Sequence, residues 1–315
     1  MAERDRYEKL NDAIEDVIAG TVPTFEPELA ALLVVAAELR DLPDPRFMAR
    51  LREELIPNPK EENDMEATAI ATHLRPYLIV NGATDLIAFL QKTFDAEVLL
   101  NVPTPTGTVM HAEVRVGDSI LEMGDANERW TTIAAPQHVY IDDVDEAYRR
   151  ALDAGATSIY EPTTQPYGDR EAGVVDRFGI QWFIATHQGE SSRPPGFSTV
   201  TSGFIAADAE ATLAFLQKAF GAVELGRTTL PTGAIQHAEI RIGETMVELS
   251  EAHDRWTATK GAFHLFVDDC DAVYARSLRA GGTSLMPPED KPYGERSASV
   301  EDPFGNQWYI ATPLA

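Results

Sequence analysis

Residues 111–117 read HAEVRVG and residues 237–243 read HAEIRIG, one pattern repeated 126 positions apart. In both stretches small or branched apolar residues alternate with His, Glu and Arg, the period of a strand with one buried face and one polar face. Working outward at the same offset, Phe89-Leu90-Gln91-Lys92 falls on Phe215-Leu216-Gln217-Lys218 and His138 on His264. Pro166-Tyr167-Gly168 likewise falls on Pro292-Tyr293-Gly294, and Gln181-Trp182 on Gln307-Trp308. No gap interrupts the register, so the chain carries two copies of one domain, far longer than a solenoid unit.

Each copy reads twice through the same order of elements. In the first, residues 78–80 are strand-like, Leu86, Ile87, Leu90 and Phe94 recur at helical spacing over 83–94, and 98–102, 109–116 and 119–123 read as strands. The order β-α-β-β-β then recurs: a strand at 138–141, a helix over 144–154 with Asp143 as N-cap and Gly155 at its end, and strands at 158–160, 172–176 and 181–185. Residues 1–62 lie outside the repeat. Leu10, Ile14, Val17 and Ile18, then Leu29, Leu32, Leu33, Ala36 and Leu39, then Phe47, Leu51 and Leu55 each share a helical face, with breaks at Pro23, Pro27, Pro43 and Pro45. The expected architecture is α+β: a helical segment over 1–62 and repeat domains over 67–187 and 198–315, joined by stretches of linker composition.

The 51 Asp and Glu residues against 26 Lys and Arg give a formal charge of −25, which repels nucleic acid and suits a cationic ligand. A single cysteine, Cys270, cannot form an intrachain disulfide, and no apolar run approaches the roughly 20 residues a spanning helix needs. A cytoplasmic protein with neither nucleic-acid nor membrane partners is expected. No phosphate-binding loop, nucleophile elbow or paired C-x-x-C occurs.

Paired β-α-β-β-β units with an HAE(V/I)R(V/I)G strand, an acidic helix start, a PYG(D/E)R segment and a closing D-x-F-G-x-Q-W strand resemble the vicinal oxygen chelate superfamily. That is the glyoxalase, bleomycin-resistance and extradiol dioxygenase group, and the likeness is greatest to its small PhnB-like domains. The resemblance implies curved mixed sheets around a cup in each domain. It leaves the activity open among a small-molecule binder, a metal-dependent lyase, isomerase or dioxygenase, and a drug-binding, regulatory or scaffolding protein. A cationic or aromatic small molecule is the expected ligand, and intramolecular pairing of the two domains makes a monomer or a homodimer the expected state.

The resemblance also implies four metal-ligand positions per paired unit, and two of the four carry a ligand type here. These are Glu122 and His138, with Glu248 and His264 as their counterparts. Arg75 and Thr201 stand at the first-strand position, and Phe183 and Tyr309 at the last. His73 is a candidate third ligand in the first copy, with Thr199 in its place in the second. A catalytic divalent ion needs about three protein ligands, so no metal site is assigned, although a divalent ion is the cofactor the superfamily suggests. Glu122 with His138, and Glu248 with His264, are the candidate catalytic pairs. The polar rows His111, Glu113 and Arg115, and His237, Glu239 and Arg241, are expected to line the cups or a subunit contact. Trp130 and Trp256, each after an arginine, are candidate stacking faces for a ligand. Tyr167 and Arg170, with Tyr293 and Arg296, are expected at the pocket mouth, and Phe183 and Tyr309 on the cup wall. Trp182 and Trp308, on the opposite strand face, are expected in the core.

Overall fold

The computed structural model describes residues 71–189 and 191–314. The helical segment expected over 1–62 lies outside the described residues. The first copy runs β1 (Ala71–Val80), α1 (Ala83–Phe94), β2 (Glu97–Pro103), β3 (Val109–Val116) and β4 (Ser119–Asp125). It continues through β5 (Gln137–Tyr140), α2 (Val144–Asp153), β6 (Thr157–Thr164), β7 (Arg170–Val175) and β8 (Gln181–Thr186). The second copy repeats this as β9 (Val200–Ala206), α3 (Ala209–Phe220), β10 (Val223–Thr229), β11 (Ile235–Ile242) and β12 (Thr245–Glu251). Its second unit is β13 (Ala262–Val267), α4 (Cys270–Arg279), β14 (Thr283–Lys291), β15 (Glu295–Glu301) and β16 (Gln307–Pro313).

Local chemistry sets these boundaries. Asp143, Asp208 and Asp269 each accept the N–H three residues on, satisfying donors that the first turn of α2, α3 and α4 leaves free. Helix α1 has Gly82 where α3 has Asp208. Its first N–H groups instead donate to Asp125 at the end of β4, at 2.7 and 3.1 Å. Gly155, at φ +95°, turns the chain out of α2. The turn before each last strand is built around a buried aspartate: Asp176 accepts the N–H of Phe178 and Ile180 and the indole N–H of Trp182. Asp302 does the same for Phe304, Asn306 and Trp308. Both indoles are fully buried.

The cores and the sheets divide the molecule differently. One apolar core joins α1, α2 and the strands of the first copy around Leu86, Leu90, Phe94 and Trp182, and the other joins the second copy around Phe220, Phe263 and Trp308. Each eight-stranded sheet, by contrast, is shared between copies. One has the order β14-β15-β16-β13-β1-β4-β3-β2, the other β10-β11-β12-β9-β5-β8-β7-β6. The joins are antiparallel, β1 to β13 and β5 to β9, with Arg75 opposite His264 and Thr201 opposite His138. A half-sheet that stopped at β1 or β5 would leave a row of backbone donors and acceptors unpaired, and the neighbouring copy supplies the missing strand. No helix among the described residues is long and apolar enough to cross a membrane.

Candidate functional site

The shared sheets make two cups, each from one unit of each copy. In the first cup Glu122 on β4 is 1% exposed. Its carboxylate lies 2.8 Å from His264 Nδ1 on β13 and 3.0 Å from Arg75 Nη1 on β1. The same Arg75 nitrogen lies 3.6 Å from Glu113, which is opposite Glu122 in the β3–β4 ladder. His111 Nε2 is 3.8 Å from Glu113, and His111 Nδ1 shares a hydrogen bond with the Tyr77 hydroxyl at 3.2 Å. Tyr77, Tyr309 and Trp130 close this cup with edge-on ring contacts at 5.2 and 5.5 Å. Burial works against ionisation of Glu122, but the hydrogen bond and charge of His264, with His111 and Arg75, outweigh it and hold the carboxyl below its usual range.

The second cup keeps the histidine and the glutamate and changes their surroundings. His138 Nδ1 lies 3.0 Å from Glu248 Oε1. Its Nε2 lies 3.4 Å from Glu171 on β7, near enough for charge attraction but without the geometry of a hydrogen bond, and this buried nitrogen has no hydrogen-bond partner. Glu171 in turn accepts from the hydroxyls of Tyr160, at 2.5 Å, and Tyr167, at 3.0 Å. Burial disfavours the imidazolium of His138. The charge and hydrogen bond of Glu248, with Glu171 and Asp169, outweigh that and raise its pKa to about 9. Glu248 is correspondingly held low, burial opposing and His138 prevailing. Burial, then Glu171, keeps both tyrosines protonated as donors. A cavity of about 40 Å³ adjoins the pair, with Pro136, His138, Phe183, Gly203 and Glu248 in its wall. Phe183 meets Trp256 edge-on at 5.6 Å.

The catalytic pairs expected within each copy are therefore corrected. Glu122 does not meet His138, and Glu248 does not meet His264. Each glutamate bonds the histidine of the other copy, because β4 and β13 belong to one sheet and β12 and β5 to the other. The aromatic residues cross over in the same way: Trp130 packs on Tyr309 and Trp256 on Phe183. Four expected arginines stay outside the cups. Arg115 bonds Glu97 on β2, and Arg241 donates to the Gly243 carbonyl. Arg170 makes two 2.7 Å bonds to Asp145, and Arg296 bonds Asp271, so both pin the start of a helix to the sheet. The arginine preceding each tryptophan stacks on it, Arg129 on Trp130 and Arg255 on Trp256, at 5.0 and 4.8 Å. Tyr293 is 69% exposed. Glu239 and His237 lie on the cup face of β11, Glu239 directly opposite Glu248. Glu171, Tyr160 and Tyr77 were missed. Glu171 belongs to a strand that starts two residues before the apolar run that marks it, and Tyr77 precedes the run that marks β1.

The donor sets do not fit the divalent ion the superfamily suggests. In the first cup the Arg75 guanidinium already binds Glu122 where a cation would sit. In the second, Thr201 and Phe183 occupy the remaining positions and Glu248 holds His138 Nδ1. No group of three His, Cys, Asp or Glu placed to hold a metal occurs among the described residues. Cys270 is buried, and burial with the Asp271 charge pushes its thiol up to about 12, which disfavours the thiolate form. A separate surface cleft of about 120 Å³ involves Asp85, Lys92 and Arg177, where Arg177 is paired with Asp85.

A model of the Glyoxalase/Bleomycin resistance protein/Dioxygenase superfamily matches residues 70–184 and again 199–310. The chain belongs to that superfamily. An uncharacterised protein of Mycobacterium bovis is 36% identical over 118 residues, which is 34% of this chain and 78% of that protein. A variant of glyoxalase I from Zea mays shares the fold at a TM-score of 0.63 and 17% identity, covering 80% of this chain and 96% of that one. A dioxygenase-like protein of Bacillus subtilis, described as a "putative dioxygenase", does so at 0.52 and 12%, covering 79% and 86%. These structural likenesses establish the fold, and the superfamily domain is present in tandem.

Proposed function

We propose that the second cup binds a small organic molecule without a metal, and that the first cup is a clasp between the copies. The observation that supports this is His138: its Nδ1 is held by Glu248 while its buried Nε2, beside the cavity, has no hydrogen-bond partner. A buried donor left unsatisfied costs about 1–3 kcal/mol, and a ligand oxygen accepting from Nε2 removes that cost. Phe183, backed by Trp256, with Phe204 and Ile205, supplies the apolar area such a pocket uses. In the first cup the larger side chains of Arg75 and Tyr77 stand at the positions of Thr201 and Gly203. Binding without turnover, the bleomycin-resistance kind of function, needs no catalytic group beyond these. The same geometry also supports a second reading, in which His138 donates a proton to a bound carbonyl oxygen. The single buried thiol and the high negative charge support a cytoplasmic setting.

A fragment screen by ligand-observed NMR tests the binding reading. Fragments should lose signal with the wild-type chain and recover it with Gly203→Tyr, which gives the second cup the residue that stands at that position in the first. A screen in which every fragment behaves alike with both proteins refutes it.

A further inference from the structure

We infer that the ligand of the second cup carries a flat organic cation, of the guanidinium or amidinium kind, seated where the Arg75 guanidinium sits in the first cup. This rests on the binding reading above and goes beyond it in naming the charge and shape of a second group of the ligand, apart from the oxygen that accepts from His138 Nε2. The first copy serves as an internal template. There, two glutamates stand opposite each other on adjacent strands, Glu113 and Glu122, and Arg75 Nη1 bridges them at 3.6 and 3.0 Å. Like charges directly opposite in a ladder repel, so the guanidinium satisfies a pair that is otherwise unfavourable. The aromatic ring of Phe266 forms a shelf under that guanidinium, 4.9 Å from its centre.

The second cup repeats every part of this cradle except the cation. Glu239 and Glu248 stand opposite each other on β11 and β12. Tyr140 occupies the place of Phe266 and stacks on His138 at 4.5 Å, as Phe266 stacks on His264 at 4.2 Å. Where Arg75 projects from β1, β9 carries Thr201, which brings no charge. Its hydroxyl is an independent sign of a ligand: Thr201 is 2% exposed, lies opposite His138 in the ladder and so on the same face, and its Oγ1 has no hydrogen-bond partner. An amidinium N–H can donate to that oxygen while its others reach the carboxylates, as planar cations do. Two residues further along β9, Gly203 replaces Tyr77. No positive φ requires a glycine there, and a Cβ would meet Pro136 at 3.4 Å, an ordinary contact. The small residue keeps open the cavity of about 40 Å³ beside His138 and Glu248, toward which the ring bearing the cation extends.

The test is calorimetric titration of the full chain with benzamidinium and, separately, with its neutral isostere benzamide. One equivalent of benzamidinium should bind at least tenfold more tightly than benzamide. Thr201→Arg, which installs the cation of the first cup, should abolish benzamidinium binding. Glu239→Gln, a substitution at a half-buried position, should weaken it about tenfold and leave benzamide unchanged, which keeps the test available if the arginine variant does not fold. Equal or tighter binding of benzamide overturns the cation and leaves the binding reading standing, and undiminished benzamidinium binding by either variant also overturns it. Failure of both compounds to bind the wild type overturns both.

Discussion

Replacing Glu122 by glutamine keeps the shape of the clasp and removes its charge. Glu122 is 1% exposed and accepts two charge-assisted bonds, 2.8 Å from His264 and 3.0 Å from Arg75. Hydrogen bonds to charged groups contribute about 1.5–3 kcal/mol each. The glutamine oxygen can still accept one of them, and the side chains of Arg75 and His264, 23% and 15% exposed, regain some hydration. The expected loss is therefore about 2–3 kcal/mol, below the 3–5 kcal/mol typical of breaking a fully buried pair. Equilibrium urea unfolding measures it: with a slope near the upper end of about 1–3 kcal/mol/M, the midpoint should fall by about 1 M at pH 7. The sign of the pH dependence follows from the depressed carboxyl of Glu122. Its contribution is present above the ordinary 4.5 and is lost as pH falls through the lower folded value, so the gap between wild type and variant should close in acid. A variant whose midpoint stays within about 0.2 M of wild type at pH 7 would refute the clasp.

Three further outcomes follow from the same geometry. His138, raised from 6.5 to about 9, gives stability that is fully present below pH 6.5 and lost as pH rises through 9. Over that window the wild type should lose about 3 kcal/mol relative to His138→Gln, and an NMR titration showing the imidazole titrating near 6.5 would contradict it. Asp302→Ala removes the acceptor of two backbone N–H groups and the Trp308 indole, and should cost about 2–4 kcal/mol by thermal unfolding, against no measurable change if the turn is held otherwise. A fragment of residues 67–189 exposes the free edges of β1 and β5, so light scattering after gel filtration should find it as a dimer or larger, and a stable monomer would argue against the shared sheets as the reason for tandem copies.

The elements of this fold were legible because their signals are local. The period of HAEVRVG places β3, the helical spacing of Leu86, Leu90 and Phe94 places α1, and Asp143 marks the start of α2, each within a few residues of chain. The buried Trp182 and Trp308 were likewise readable, since alternation along a strand assigns opposite faces to neighbours. Four of the residues singled out for the site went elsewhere for an equally physical reason. Arg115, Arg241, Arg170 and Arg296 have long side chains that reach exposed partners, and strand alternation says which face a residue starts from, not where its charge ends.

The repeat and its alternation are enough to establish that two copies of a glyoxalase-superfamily domain follow one another, that each is built from two β-α-β-β-β units, and that a glutamate and a histidine stand at matching strand positions in each. Which glutamate meets which histidine is set by how the half-sheets join. The repeat makes both pairings equally readable along the chain, while the choice depends on which half-sheet covers the open edges of β1 and β5. The structure has the other copy do so, bringing Glu122 to His264 across 142 residues and Glu248 to His138 across 110. The difference between the cups has the same origin. Arg75 and Thr201 are visible as an unequal pair in the sequence, but that one completes a carboxylate cradle and the other leaves it open follows only when β1 and β9 lie beside the strands that carry the glutamates.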